Sequence, residues 1–240
     1  LAERGVEIRK VDFNDPAGLP AAFAGVDRLL IVSTDGIGTR IAQQTAAVEA
    51  AKTAGVKHIV YTSAPAARPN ADAGLNPEHF WTEVAIADSG LDFTILRNHM
   101  YAENNLMSLP QAVASGQLYG LIGDRGTSYV IRADTARTAQ GKAIEDVTGP
   151  APVTNIERAR IASDLTGRPV AVVTLSPADL KAGMIAAGLP EGFAEALTAF
   201  ERDAVSGHHG VVTDVVERYS GRRPEALADF LASNKAALGA

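Results

Sequence analysis

Most of the residue spacings that announce a known chemistry are absent from this chain. Proton donation to a reduced carbonyl is often done by a Tyr-x-x-x-Lys pair, in which the Lys lowers the pKa of the Tyr. Every tyrosine fails that test: four residues after Tyr61, Tyr101, Tyr119, Tyr129 and Tyr219 stand Pro65, Asn105, Gly123, Ala133 and Arg223. His79-x-x-x-Glu83 stands near where such a pair would fall, and its spacing puts both side chains on one helix side, read here as a solvated face. No Gly-x-Ser-x-Gly elbow marks a hydrolase. His208-His209 lacks the i, i+4 spacing of a helical metal site and reads as a loop, so no metal is expected. Arg68 and Arg222-Arg223 read as solvated surface.

What remains is a set of three short polar segments: Ser33-Thr34-Asp35-Gly36, Thr62-Ser63-Ala64 and Arg97–Glu103. Each follows an apolar run, and that position identifies them as the carboxyl ends of strands. Small hydroxyl residues there let a flat cofactor lie against backbone. In doubly wound sheets this edge is where ligands bind. Gly36-Ile37-Gly38 is the nearest approach to a dinucleotide glycine turn and lacks the third glycine, so it reads as a flexible loop.

The elements that must position these segments follow from periodicity. Gly5 closes a helix in whose last turn the chain starts, and Val6–Asp12 alternates like a strand. Ala17–Ala24 reads as a short helix, Arg28–Val32 as a strand, Ile41–Ala54 as a helix closed by Gly55, and Lys57–Thr62 as a strand. After the polar stretch Ser63–Leu75, an Asn76-Pro77 cap opens a helix running to Ser89, and Asp92–Leu96 is the next strand. Short apolar strands alternating with helices imply a parallel sheet with right-handed crossovers, a Rossmann-like α/β fold. Beyond residue 103 the rhythm changes. Helices are expected over Asn104–Ala114 and Thr154–Thr166, with a brief one starting at Arg132. Strands are expected over Gln117–Leu121, Ala143–Val147 and Pro169–Leu175, and helices from Ser176-Pro177 and near Pro190 and Pro224. Residues 1–103 thus read as a Rossmann-like dinucleotide domain and 104–240 as a smaller α/β lobe partly interwoven with its sheet.

Composition narrows the class. With 46% hydrophobic and 21% charged residues, the chain can bury a full core. A net charge of -6 disfavours nucleic acid as a partner. There is no cysteine, which excludes thiolate chemistry and suits the cytoplasm, and no apolar run is long enough to span a bilayer.

The runs Gly55–Ser63 (GVKHIVYTS), Asp88–Glu103 (DSGLDFTILRNHMYAE), Arg132-Ala133-Asp134 and Gly221–Leu231 resemble the NmrA-like, atypical short-chain dehydrogenase/reductase family. Within it they look like the type 2 NAD(P)H:quinone oxidoreductases, neighbours of triphenylmethane reductase. The resemblance implies NADP(H), with NAD(H) as the alternative, as cofactor. It implies that Ser33, Thr34 and Asp35 and the segment Asn98, His99, Met100, Tyr101, Ala102 and Glu103 line it; the strand-end position read above adds Thr62 and Ser63 to the expected cofactor contacts. Asn98 and Tyr101 are the expected nicotinamide-side contacts and candidates for a catalytic role. The Gly120–Gly123 loop is expected in the pocket of a quinone-like acceptor, and the sequence leaves a homodimer open without fixing the oligomeric state. A regulator that senses NAD(P) without turnover is the competing reading.

The resemblance also implies that the family's glycine turn lies before Leu1. In strand order 3-2-1-4-5-6, Val6–Asp12 as strand 3 and Arg28–Val32 as strand 4 leave a two-strand gap, so a βαβ unit of about 30 or more residues is expected to be absent at the start.

Overall fold

The computed structural model describes residues 2–69, 75–121 and 123–239. Its larger sheet holds four parallel strands in the order β1 (Arg28–Ile31), β2 (His58–Ser63), β3 (Asp92–Asn98) and β5 (Ile144–Val147). The register pairs Ile31 with Tyr61, Thr62 with Leu96 and Asn98 with Val147, so all four strands end on one edge. A second, two-stranded parallel sheet pairs β4 (Gln117–Gly120) with β6 (Ala171–Thr174). The α/β Rossmann-like class is as expected, and β5, from the second half, completes the first sheet.

The strands formed where apolar, β-branched residues run together, because β2 and β3 are covered on both faces. On one face, Ile31, Ile59, Tyr61 and Ile95 pack under α1 (Leu19–Phe23), α2 (Arg40–Thr53) and α3 (Leu75–Asp88). On the other, Val60, Leu96, Val130 and Val147 pack under Val215 and Val216 of α9 (Val215–Ser220), next to α5 (Arg132–Arg137). Gly55 and Gly90 close α2 and α3 with φ of 78° and 77°, a conformation that costs a residue with Cβ more than glycine.

The second half builds its own core from Leu109, Val113, Leu118, Ala162, Leu227 and Leu231. These come from α4 (Asn105–Ser115), β4, α6 (Asn155–Thr166) and α10 (Leu227–Ser233). Thr154 caps α6 through a full capping box with Glu157, and Ser176 caps α7 (Pro177–Ala186). α7 packs on α8 (Glu191–Val205), tied to it by Lys181 with Glu191 and Glu195.

Several expectations change. Val6–Asp12 is not a strand: it runs without a ladder partner, with Val6 and Ile8 exposed, and Arg9 fastens it to the carbonyls of Ala22 and Ala24. Alternation alone does not make a strand, because the ladder needs a neighbour. Only a 3-10 turn, Ala2–Arg4, precedes Gly5, and Leu1 lies outside the described residues. Asn76 is not a cap. The helix begins at Leu75, and the Asn76 amide donates to Asp203 of α8 at 2.5 Å. Residues 70–74 of the expected polar loop lie outside the described residues. The short helix α9 was not expected. No described helix is long and apolar enough to cross a membrane.

Candidate functional site

Successive residues of a strand point to opposite faces, and at the ends of β1, β2 and β3 the two faces hold different chemistry. On the α3 side, Tyr61 Oη and His79 Nδ1 are hydrogen-bonded at 2.7 Å. Burial, assisted by the Arg40 charge, pushes His79 down to about 3, and burial pushes the Tyr61 phenol up. Both are neutral near pH 7. The Ser63 hydroxyl donates to Glu83 at 2.6 Å, and Glu83 takes both arms of Arg97, at 2.9 and 2.6 Å. Glu78 accepts from the Gly38 amide and from Arg40, whose Nε–H donates to the Thr34 carbonyl.

His79 and Glu83 therefore do not form a solvated face. Both are buried, because α3 is enclosed by the sheet, α2 and α8. Their i, i+4 spacing showed that they share a helix side but not which way that side points. Arg68 is likewise not plain surface: it grips Asp203 at 3.0 and 2.7 Å, and although burial raises that carboxyl, the Arg68 hydrogen bonds and charge together with His208 and His209 hold it below its usual range.

On the other face lies a cavity of about 330 Å³, at the lower end of the size range of small-molecule sites. Its walls are Leu30, Val32, Leu96, Ala136 and Ala139, and its polar groups are Thr62, Asn98, Tyr101, Thr135 and Arg132. Thr62 Oγ1 accepts from the Ser33 amide at 2.9 Å and donates to Ser33 Oγ at 3.3 Å, which ties the ends of β1 and β2. Asn98 Nδ2 donates to Tyr101 Oη at 3.0 Å, while its carbonyl oxygen is buried with no partner among the described residues. A buried amide oxygen without a donor costs about 1–3 kcal/mol, and a donor on a bound molecule would relieve that cost. A carboxamide N–H of a nicotinamide fits this requirement.

The other expected residues are placed as follows. Thr34 donates to Gln43 at 2.7 Å, and Asp35 is exposed in the same loop. Ser63 turns away from the cavity to Glu83. Met100 Sδ accepts from Asn104, Ala102 is in the second core, and Glu103 caps the Arg132 amide at 2.9 Å. His99 points away from Asn98, its Nε2 3.6 Å from Asp146 and its ring 6.5 Å from that of His209. His208-His209 is a turn as expected, but His209 is fully buried, and burial, then His99, pushes it down to about 4.

Neither of two other cavities matches this set. The Gly120–Gly123 loop does not reach the strand-end cavity, since β4 belongs to the second sheet. Leu121 and Gly123 instead line a space of about 20 Å³ with Asn155 and Glu201, room for a water but no acceptor ring, and Ile122 lies outside the described residues. A larger groove of about 550 Å³ between β4, β6 and α7 is almost wholly apolar, and its one carboxylate, Asp179, is engaged by Ser176. Size favours that groove. Convergent polar groups favour the strand-end cavity, and they are the better mark of a ligand site. Among the described residues no cluster of His, Cys, Asp or Glu could hold a metal ion.

Comparison with known proteins decides the lineage. The NmrA-like family profile matches residues 1–121. This chain belongs to the NmrA-like family. It is 37% identical to quinone oxidoreductase 2 of Escherichia coli (strain K12) over 216 residues, covering 86% of this chain and 75% of that protein. The crystal structure of the Escherichia coli NADPH-dependent quinone oxidoreductase with NADPH superposes with a TM-score of 0.91 at 33% identity, covering 97% and 85% of the two chains. The Citrobacter sp. triphenylmethane reductase in complex with NADP(H) matches at a TM-score of 0.85 and 30% identity, over 96% and 85%. An NAD(P)H azoreductase of Xenophilus azovorans is 29% identical over all of this chain and 86% of its own.

Proposed function

We propose that this protein is an NAD(P)H-dependent oxidoreductase that passes a hydride to a quinone or similar planar acceptor at the strand-end cavity. The observation that carries the reading is Asn98: a buried amide oxygen without a donor, in a cavity where three parallel strands of a nucleotide-type fold end. The relatives named above are reductases of quinones, azo compounds and triphenylmethane dyes, which favours turnover over a purely regulatory role. NADPH is the first choice of cofactor, as in the solved relatives.

The bound dihydronicotinamide supplies a hydride. The chain's own task is then orientation and exclusion of water. In this reading Asn98 receives the carboxamide, and the Thr62–Ser33 bonds hold the neighbouring strand ends in register. Leu30, Val32 and Leu96 offer an apolar wall for a ring. The Thr34–Thr39 loop is held from behind by the Arg40–Glu78 pair, so Ser33, Thr34 and Asp35 meet the cofactor in a fixed conformation. No Tyr-Lys acid is needed, since a reduced quinone oxygen takes its proton from water.

Steady-state oxidation of NADPH with a panel of quinones and azo dyes tests the reading. Turnover with at least one planar acceptor is expected. Tight NADPH binding with no turnover on any acceptor would replace it by the regulator.

A further inference from the structure

Arg132 is a solvent-exposed arginine at the start of α5 that lines the strand-end cavity. Arg40, Arg97, Arg137 and Arg218 each face a carboxylate at 2.6–2.9 Å. The Arg132 guanidinium pairs with no carboxylate among the described residues; its only side-chain hydrogen bond is a long one, 3.4 Å to the Asn104 amide oxygen. The nearby Glu103 carboxylate spends one oxygen on the Arg132 main-chain amide instead. The guanidinium carbon lies 5.1 Å from the centre of the Tyr101 ring, within cation–π range, and the side chain lines the strand-end cavity.

Tyr101 is fixed from two directions. Its hydroxyl oxygen accepts from Asn98 at 3.0 Å, which leaves its own O–H free to donate. Its backbone is locked to the segment that carries Arg132: Ala102 N–H donates to the Val130 carbonyl at 2.9 Å and Val130 N–H to the Met100 carbonyl at 3.1 Å. One cavity thus carries a phenol O–H and an exposed cation with no carboxylate partner among the described residues, on segments joined by main-chain bonds at Val130. It presents no opposing base of comparable strength.

Such a pair is suited to negative charge on oxygen. We propose that Arg132 and Tyr101 bind the acceptor oxygen that becomes anionic on reduction, and so select acceptors whose reduction leaves charge on oxygen. This inference rests on the quinone-reduction reading. A 1,4-quinone gains a hydride, two electrons and one hydrogen, at one carbonyl oxygen. The ring becomes aromatic, the other oxygen becomes an aryl oxide, and the cofactor leaves oxidised. The aryl oxide then takes one proton from water to give the hydroquinone. Arg132 and Tyr101 donate hydrogen bonds to the aryl oxide as its charge develops, and neither loses a proton in the net reaction. Donors already aimed at a developing oxyanion are typically worth about 10²–10³ in kcat each.

The experiment uses the whole protein with Arg132→Gln, Arg132→Lys and Tyr101→Phe, each first checked for an unchanged melting temperature. For Arg132→Gln with 1,4-naphthoquinone, kcat is expected to fall about 100-fold with little change in KM, and Arg132→Lys to restore part of it. Binding of 2-hydroxy-1,4-naphthoquinone, an anion at neutral pH that stands in for the aryl oxide, should weaken about tenfold in the presence of NADP⁺. Binding of neutral 1,4-naphthoquinone should stay within about twofold, as should the NADPH dissociation constant read by fluorescence. Two results overturn the proposal. A loss of NADPH affinity that matches the loss of turnover makes Arg132 a cofactor contact, and unchanged anion binding and turnover make it a solvated surface residue. If the wild type reduces no quinone yet binds the anion through Arg132, the anion site stands and the reductase reading falls.

Discussion

The two faces of one sheet edge differ in how their polar groups are satisfied. On the α3 side, Tyr61, Ser63 and Arg97 end on His79 and Glu83, at distances of 2.6–2.9 Å. One residue along β3, on the cavity side, Asn98 keeps a buried oxygen without a partner among the described residues, and exposed Arg132 of α5 lines the same cavity. The same strands supply both faces, so the difference lies in what covers them. On one face α3 answers Tyr61, Ser63 and Arg97 of the strands through His79 and Glu83. The other face stays open at its polar end. Answered buried polar groups hold a fold together, whereas an unanswered one that lines a cavity is open to a ligand.

The comparison is sharpened first where the expected effect is largest. Glu83→Ala should strip Arg97 and Ser63 of their acceptor and leave a half-buried cation unpaired. A loss of about 3 kcal/mol in unfolding free energy is expected. NADPH affinity of the folded fraction should hold, and denaturant titration with fluorescence binding checks both. If affinity collapses with stability barely changed, the α3 side is part of the ligand site and the division between the faces fails.

Acid should weaken the closed side next. His79, at about 3, and His209, at about 4, are depressed below the ordinary histidine value. The unfolded chain therefore binds protons that the folded one refuses. Stability from these groups is fully present above about pH 6.5 and is lost as pH falls toward their folded values. At pH 5 the loss is about 2 kcal/mol for each histidine. Chemical denaturation between pH 7.5 and 5 measures it. A flat profile would mean that these rings are wetter than their burial indicates.

The open side should respond in the opposite sense to mutation. Asn98→Ala is expected to weaken NADPH binding about tenfold, about 1.4 kcal/mol, while the melting temperature moves by only a few degrees. A large stability loss with unaltered cofactor affinity would make Asn98 a structural residue. The smallest effect belongs to Thr62→Val, which deletes the bonds to Ser33 without changing shape. Roughly 1 kcal/mol of stability and a modest rise in the KM for NADPH are expected from thermal melts and initial rates.

Much of the frame was legible before any coordinates. The strands at Arg28, His58 and Asp92 and the helices between them were readable because each strand is a short apolar run, covered on two sides in β2 and β3, and each helix ends at a glycine. Their parallel order then fixed Ser33, Thr62 and Asn98 on one edge, and the Ser33–Thr62 bond and the cavity shared by Thr62 and Asn98 place them there. Val6–Asp12 misled because alternation gives the pattern of a strand without giving it a neighbour. Asn76 misled because a residue typical of caps was drawn to Asp203, more than a hundred positions away in the chain.

By itself, then, the sequence determined the element types, their parallel order and the shared edge, because apolar periodicity, glycine caps and chain order are local properties. Only the tertiary structure decided which polar residues at that edge are satisfied. The i, i+4 spacing of His79 and Glu83 is the same whether they face water or Tyr61 and Arg97. The alternation Ser63, Thr62 and Arg97, Asn98 does not say which face a helix will cover. Arg132 meets Tyr101 only because the chain between them folds back through main-chain bonds at Val130. Satisfaction of a buried polar group depends on partners distant in the chain, and no local pattern encodes them.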